Sequence, residues 1–263
     1  MSPSPTVWRI QEAMAEAGVS YALVLTSYLV NPNRPSTAEV VRAVERIDTL
    51  GVVAGISYRH YRERVLRRAR RLPSCRAGPR PEALPRLRAV LPARARLQVV
   101  YELAEEFDVP VMIHSGDTYD QRGRLKYAHP LEVDEVAVDH PNVKLVICHL
   151  GNPWLVDYME VVYKTRNVYA DFSGLVLGEF TEAFEDYMER RITDAILYAG
   201  EPDRLLYGSD WPICGMKSYV EFVRQLPMPE HQRHAILYEN ARRLFKLPLP
   251  PAAQPAAAGG SGG

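Results

Sequence analysis

Three short strings mark places where an apolar run gives way to a glycine-containing turn. They are IHSG at 113–116, CHLG at 148–151 and GSDWP at 208–212. In a parallel (β/α) barrel, the residues at the carboxyl ends of the strands point into the mouth of the barrel. His114, His149 and Asp210 would then converge on one position, and two imidazoles with one carboxylate are typical ligands of a divalent metal.

The apolar runs themselves predict a parallel sheet. They are rich in β-branched residues and are nearly continuous, as expected for strands that are buried on both faces. Most successive runs are separated by about the length of one βα unit. The runs lie at 21–26, 52–57, 109–114, 143–149, 168–172 and 205–207.

Amphipathic stretches between these runs predict the helices. Ser36 and Glu39 form a capping box ahead of one of them, and Pro130 suits the first turn of another. Alternation of strands and helices over 263 residues predicts a single α/β domain, a (β/α)8 TIM barrel.

Two segments interrupt the pattern. Residues 62–96 hold twelve arginines against two acidic residues and are broken by five prolines, so no strand is predicted there. Residues 247–263 end in Ala, Gly and Ser and predict a disordered tail. We therefore expect an incomplete barrel domain over 1–246, with 62–96 as an irregular insert or the product of a reading-frame slip.

Composition excludes several classes of protein. The net charge is zero and the pI is about 7.1, so neither nucleic acid nor a membrane surface is expected as a partner. Three cysteines without a CxxC pair indicate a reducing compartment, and no apolar run is long enough for a membrane span. We expect a cytoplasmic protein that acts on a small molecule.

Each candidate site residue also has a structural interpretation. A histidine at a strand end can simply be hydrogen-bonded there, and Asp210 can cap the turn formed with Trp211 and Pro212. His129 can face solvent rather than a substrate. Asp171 can point away from the site, contact substrate, or orient a histidine behind a metal. Trp211 is a third candidate for substrate contact.

Taken in order, these strings resemble the amidohydrolase-related family of metal-dependent (β/α)8 barrels, which includes decarboxylases of the aminocarboxymuconate semialdehyde type. The resemblance covers 7–61 and 97–247 and is strongest over 109–211. It implies that His114 and Asp210 are metal ligands and that His149 is a ligand or a catalytic acid/base. Asp210 is also a catalytic candidate, because a carboxylate at the mouth of the barrel can take a proton from metal-bound water. The resemblance also implies a zinc-like cofactor, hydrolysis or nonoxidative decarboxylation of a small organic substrate, and a homodimer as one candidate assembly.

The chain departs from the family pattern in two places. The family's first strand ends in a His-x-His pair, which occurs nowhere in this sequence, and its fourth strand should fall within 62–96. An inactive barrel fragment that serves as a binding or oligomerisation module is therefore the alternative to an enzyme. A third hypothesis treats the arginine-rich segment as a site for polyanions, which predicts salt-sensitive binding.

Overall fold

In a computed structural model, the chain is an α/β structure with seven parallel strands, and in the described residues a helix lies between most consecutive strands. The structure describes residues 5–27, 34–56, 84–87, 97–118, 121, 123–176, 178–200 and 202–247. The strands are β1 (Ala22–Leu25), β2 (Leu50–Gly55), β3 (Leu84–Leu87), β4 (Val111–Ile113), β5 (Leu145–Ile147), β6 (Val168–Asp171) and β7 (Leu205–Leu206).

The longer helices pack around this sheet, and three short 3-10 turns are described, of which Cys148–Gly151 directly follows β5 and Pro202–Arg204 directly precedes β7. The helices are α1 (Pro5–Ala17), α2 (Thr37–Val44), α3 (Gln98–Phe107), α4 (Leu131–Asp139), α5 (Leu155–Lys164), α6 (Glu182–Ala199), α7 (Met216–Gln225), α8 (Glu230–His234) and α9 (Asn240–Phe245), with a π turn at Ala235–Glu239. The 3-10 turns are Leu125–Tyr127, Cys148–Gly151 and Pro202–Arg204. The predicted capping box is present, because the Ser36 side chain and the Glu39 side chain each accept the other's backbone N–H.

The sheet order equals the chain order, and every neighbouring pair of strands is parallel. Val24 pairs with Val52 between β1 and β2, and Met112 pairs with Val146 between β4 and β5. Sequential parallel strands with helical crossovers are the arrangement of a (β/α) barrel. Within the described residues β1 and β7 do not pair, so the predicted fold class, an incomplete barrel, is confirmed.

The prediction that no strand lies within 62–96 is wrong for one short stretch. Leu84–Leu87 forms β3 and lies between β2 and β4. The sequence did not predict this strand because of Pro85. Proline has no N–H for the hydrogen bonds between strands and normally argues against a strand inside a sheet. The backbone is nevertheless parallel to both neighbours, with Pro85 opposite Ala54. The rest of 62–96 lies outside the described residues.

Burial on both faces explains why the strands are almost wholly apolar. All three residues of β5 have 0% of their surface exposed. Leu145 and Ile147 face the cluster that includes residues of α4 and α5, whereas Val146 faces the inner cluster with Val53, Met112 and Leu206. Alternate residues of a strand point to opposite faces, so one strand supports two cores.

A large cavity lies beside the outer edges of β1 and β7, the two strands that end the sheet of the described residues. It has a volume of about 1350 Å³ and is lined along the whole of β1 and by residues of β7, α1 and α7. Phe245 of α9 also lines it, and this residue packs with the inward-facing strand residues. In a closed barrel every strand has two neighbours, so this gap is where the barrel of the described residues stays open.

In the described part of the chain, no helix combines the length and the apolar character that a bilayer span requires. The predicted tail lies outside the described residues beyond Leu247.

The open edge predicts a gradient of amide protection. We expect amides of β5 to exchange with deuterium at least about tenfold more slowly than those of β1, because central strands open only with global unfolding while edge strands open locally. Native-state exchange read by NMR or by mass spectrometry of peptides measures this. Equal protection of the two strands would show that something covers the outer edge of β1.

Candidate active site

The sequence-predicted side chains lie at one edge of the sheet. His114 directly follows β4, and His149 follows β5 by two residues. Asp171 is the last residue of β6, and Asp210 follows β7 by four residues. Because these four strands are neighbours and parallel, their carboxyl ends meet at the same rim of the incomplete barrel.

The two histidines form a buried pair. His149 Nε2 lies 3.2 Å from His114 Nδ1, and the rings meet edge-on with centroids 5.0 Å apart. Only 8% of the surface of His114 and 6% of that of His149 is exposed. The 3.2 Å separation suits a hydrogen bond, and it equally suits two nitrogens each about 2.1 Å from one cation at an angle of about 100°.

The other ring nitrogen of His149 contacts a residue that the sequence analysis did not single out. His149 Nδ1 lies 2.8 Å from the backbone oxygen of Ser173 and 2.9 Å from its Oγ. Gly174 comes next, with a φ of +63°, and a Cβ there would lie 2.4 Å from His149 Nδ1. The sequence signal was available, because Ser173 and Gly174 repeat the pattern of a polar residue and a glycine after an apolar strand.

Asp171 contacts the backbone of His149 and the side chain of Ser173. Its Oδ1 accepts the backbone N–H groups of His149 and Ser173, each at 3.0 Å, and also the Ser173 hydroxyl in a shorter hydrogen bond. The side chain is buried, with 4% of the residue exposed. These hydrogen bonds connect Asp171 to the backbone of His149 and to Ser173, whose hydroxyl contacts the His149 ring.

Asp210 adopts a left-handed backbone conformation with a φ of +63°, and its carbonyl accepts the N–H of Ile213 at 3.0 Å. Asp210 is half-buried. It lines the large cavity together with the buried residues Asp171 and Ser173. Among the described residues, no group of three or more His, Cys, Asp or Glu side chains could hold a metal ion. In the structure, the predicted ligands His114 and His149 are in contact, whereas Asp210 does not form a three-residue metal-binding group with them.

His129 and Trp211 have contacts of other kinds. His129 Nδ1 accepts the N–H of Leu131, its ring lies 4.9 Å from that of Trp154, and its Nε2 is 3.8 Å from Asp157 Oδ2. These contacts tie His129 to the beginnings of α4 and α5. Trp211 lines the cavity and packs against the cluster formed by α1, β2 and α7.

Burial affects two other polar groups, Tyr207 in the wall of the cavity and Cys214 after β7. Burial raises the pKa of the Tyr207 hydroxyl, which donates to the carbonyl of Met216. Burial also raises the pKa of the Cys214 thiol, which donates to the carbonyl of Val176. Both groups are therefore neutral at ordinary pH in the metal-free protein.

Comparison with known proteins connects this geometry to a family. The sequence model of a family described as "Amidohydrolase" matches residues 4–247. The gamma-resorcylate decarboxylase of Rhizobium sp. (strain MTP-10005) is 26% identical over 172 residues, which are 54% of this chain and 52% of that protein. The chain spans about half the length of the curated relatives that it matches.

Solved structures share the fold at low identity. The TIM-barrel protein Bb4693 of Bordetella bronchiseptica superposes with a TM-score of 0.70 at 21% identity, over 94% of this chain and 86% of that one. A zinc-bound amidohydrolase of Burkholderia multivorans gives 0.66 at 16%, over 93% and 88%. A dihydroxybenzoic acid decarboxylase of Polaromonas sp. JS666, with manganese and the inhibitor 2-nitroresorcinol, gives 0.61 at 15%, over 94% and 87%.

Proposed function

Because the chain belongs to the amidohydrolase family, we propose that it is a metal-dependent enzyme that decarboxylates or hydrolyses a small organic substrate. The observation that carries the proposal is the buried contact between His149 Nε2 and His114 Nδ1 at the strand ends. Two buried imidazole nitrogens that face each other across 3.2 Å are suited to a shared cation. An inactive fragment predicts no metal at this pair, so metal binding distinguishes the two hypotheses.

His114 and His149 would hold the metal, and Asp210 would approach from the end of β7. Neutral imidazole with carboxylate suits zinc as well as manganese. Similar structures with bound zinc and manganese support a divalent ion in general, and we propose zinc as the first to test. When bound, the ion supplies Lewis-acid polarisation of the reacting group.

Decarboxylation of a small aromatic acid is the favoured reaction, because the curated relatives are named as gamma-resorcylate decarboxylases. The bond between the ring carbon and the carboxylate breaks, carbon dioxide leaves, and a proton takes its place on that carbon. Asp210 lines the cavity and is half-buried, so its carboxylate can take a proton from water and then deliver it to that carbon. In hydrolysis, the same carboxylate would take a proton from water and pass it to the leaving group.

The substrate would enter through the large cavity. Its lining includes Asp171 and Ser173, which lie beside His149, as well as Asp210 and Trp211, whereas His114 and His149 do not line it themselves. A volume of about 1350 Å³ accommodates a small aromatic acid with room for water.

The test uses the full chain loaded with Zn²⁺ or Mn²⁺ and then desalted. We expect about one metal per chain, and carbon dioxide release from gamma-resorcylate that depends on the metal. Asp210→Asn should lower this rate by about 100-fold or more, because a positioned acid contributes that much. His231→Ala, on the exposed side of α8, is the matched control and should leave the rate unchanged. Full metal loading without turnover of gamma-resorcylate or of a panel of esters and lactones would contradict the proposed reaction class.

A further inference from the structure

We propose that Asp171, Ser173 and Gly174 are positioning residues that keep the proton of His149 on Nδ1 and leave a lone pair on Nε2, facing His114. These three residues follow or end β6, whereas His149 follows β5. The hydrogen bonds alone carry the assignment of the proton. Its consequence for catalysis rests on the function proposed above.

The first step concerns the backbone oxygen of Ser173. It lies 2.8 Å from His149 Nδ1, and a carbonyl oxygen can only accept a hydrogen bond. Nδ1 must therefore carry the hydrogen in this contact. A neutral imidazole has one N–H, so Nε2 is then the acceptor nitrogen.

The hydrogen bonds of the Ser173 hydroxyl independently place the proton on His149 Nδ1. Asp171 Oδ1 is the acceptor for two backbone N–H groups, so the hydroxyl donates its hydrogen to that oxygen as well. The hydroxyl oxygen is left with lone pairs and lies 2.9 Å from His149 Nδ1. It too can only accept from Nδ1, and the hydrogen bonds thus run from His149 through Ser173 to Asp171.

Asp171 also holds the backbone that carries the ring. His149 and Leu150 have φ values of 61° and 51°, a left-handed conformation that is unusual for residues other than glycine. The Asp171 carboxylate accepts the N–H of His149 itself. One side chain therefore fixes both the bend after β5 and, through Ser173, the orientation of the imidazole.

Gly174 sets the position of the ring by leaving space for it. A Cβ at this position would lie 2.4 Å from His149 Nδ1 and 2.8 Å from Cε1, closer than such atoms can approach. Any larger residue would push the ring away from Ser173 and out of line with His114. Gly200 ends α6 with nearly the same φ, +65°, but a Cβ there would have no atom within 4 Å. It is thus a matched control for the backbone conformation alone.

The experiment reads the tautomer directly in metal-free protein with ¹⁵N-labelled histidine. At about pH 8, above the ordinary pKa of histidine, long-range ¹H–¹⁵N correlations distinguish protonated from unprotonated ring nitrogens. His149→Gln identifies the signals. We expect His149 in the parent to be protonated at Nδ1 and unprotonated at Nε2. A proton found on Nε2 overturns the proposal without any variant being needed.

The variants then test which residues hold the ring. Gly174→Ala and Asp171→Asn should give mixed or exchange-broadened His149 signals and a Zn²⁺ affinity lower by about 10 to 100-fold, while Gly200→Ala should change neither. Ser173→Ala, which keeps the carbonyl, is the milder variant if either of the first two unfolds, and should broaden the same signals. A parent that shows the Nδ1 tautomer but binds no Zn²⁺ would support the positioning and contradict the proposed function. Unchanged His149 signals in all the variants would overturn the positioning.

Discussion

Gly116→Ala is expected to lower the free energy of unfolding by about 3 kcal/mol, because it combines a strained backbone with a collision that side-chain movement cannot relieve. Gly116 has a φ of +94°, and a Cβ there would lie 2.4 Å from the backbone oxygen of Asn152. The loops after β4 and β5 are in direct contact at this point. One of the two backbones would have to move.

The same substitution should disturb the histidine pair. Gly116 lies two residues after His114, and Asn152 lies three residues after His149. Backbone hydrogen bonds join this region, from Asp117 N to Asn152 O at 2.8 Å and from Asn152 N to His149 O at 2.9 Å. A shift that makes room for a methyl group at 116 is therefore transmitted towards the contact between the two imidazoles.

Urea unfolding followed by circular dichroism measures the effect, with Gly178→Ala as the control. Gly178 also has a positive φ, +76°, but a Cβ there would have no atom within 4 Å. Its substitution should cost only the conformational penalty, about 1 kcal/mol. Equal losses in the two variants would show that the approach of the two loops is unimportant for stability.

The glycine strings explain why so much of the rim could be predicted from sequence. A strand that is buried on both faces must be apolar, and the residue after it must leave the sheet, so a polar residue followed by glycine marks the end of the strand. His114 and His149 were found in this way, and the structure places them in contact. Ser173 and Gly174 show the same pattern after β6, and both lie against the His149 ring.

Other features depend on contacts that sequence spacing does not contain. The strand at Leu84–Leu87 is held by its neighbours on both sides, despite a proline that disfavours it locally. His129 lies in a loop between two site segments, yet its partners are Trp154, Asp157 and the N–H of Leu131. In both cases tertiary neighbours, rather than local pattern, decide the outcome.

The position of Asp210 illustrates the same limit. Its string predicts a carboxylate at the end of a strand, and the structure places it four residues after β7, which has a neighbour on one side only among the described residues. Strand-end patterns show that a side chain reaches the rim. They do not show how far it lies from side chains on other strands, which depends on how the barrel closes.

The largest expected effect concerns metal binding by the imidazole pair. We expect His114→Ala and His149→Ala each to lower the affinity for Zn²⁺ by at least about 100-fold, since even residues that only orient ligands contribute about 10 to 100-fold. Each substitution removes one of two buried nitrogens that face each other at 3.2 Å. The remaining imidazole would be a monodentate ligand, and chelation would be lost.

Asp210→Ala distinguishes the contribution of the imidazole pair to Zn²⁺ affinity from that of Asp210, the third predicted ligand. Because Asp210 does not join a three-residue group among the described residues, its loss should lower Zn²⁺ affinity by only about tenfold and leave the imidazole chelate in place. Competition with a chromogenic chelator measures all three affinities, and His231→Ala, an exposed histidine, controls for nonspecific binding. If His114→Ala and His149→Ala bound Zn²⁺ as tightly as the parent, the metal would lie elsewhere and the buried pair would be structural.

A different result, with Asp210→Ala as the weakest binder, would mean that Asp210 moves to the histidines when the ion binds. The sheet can allow that movement at the open edge beside β7.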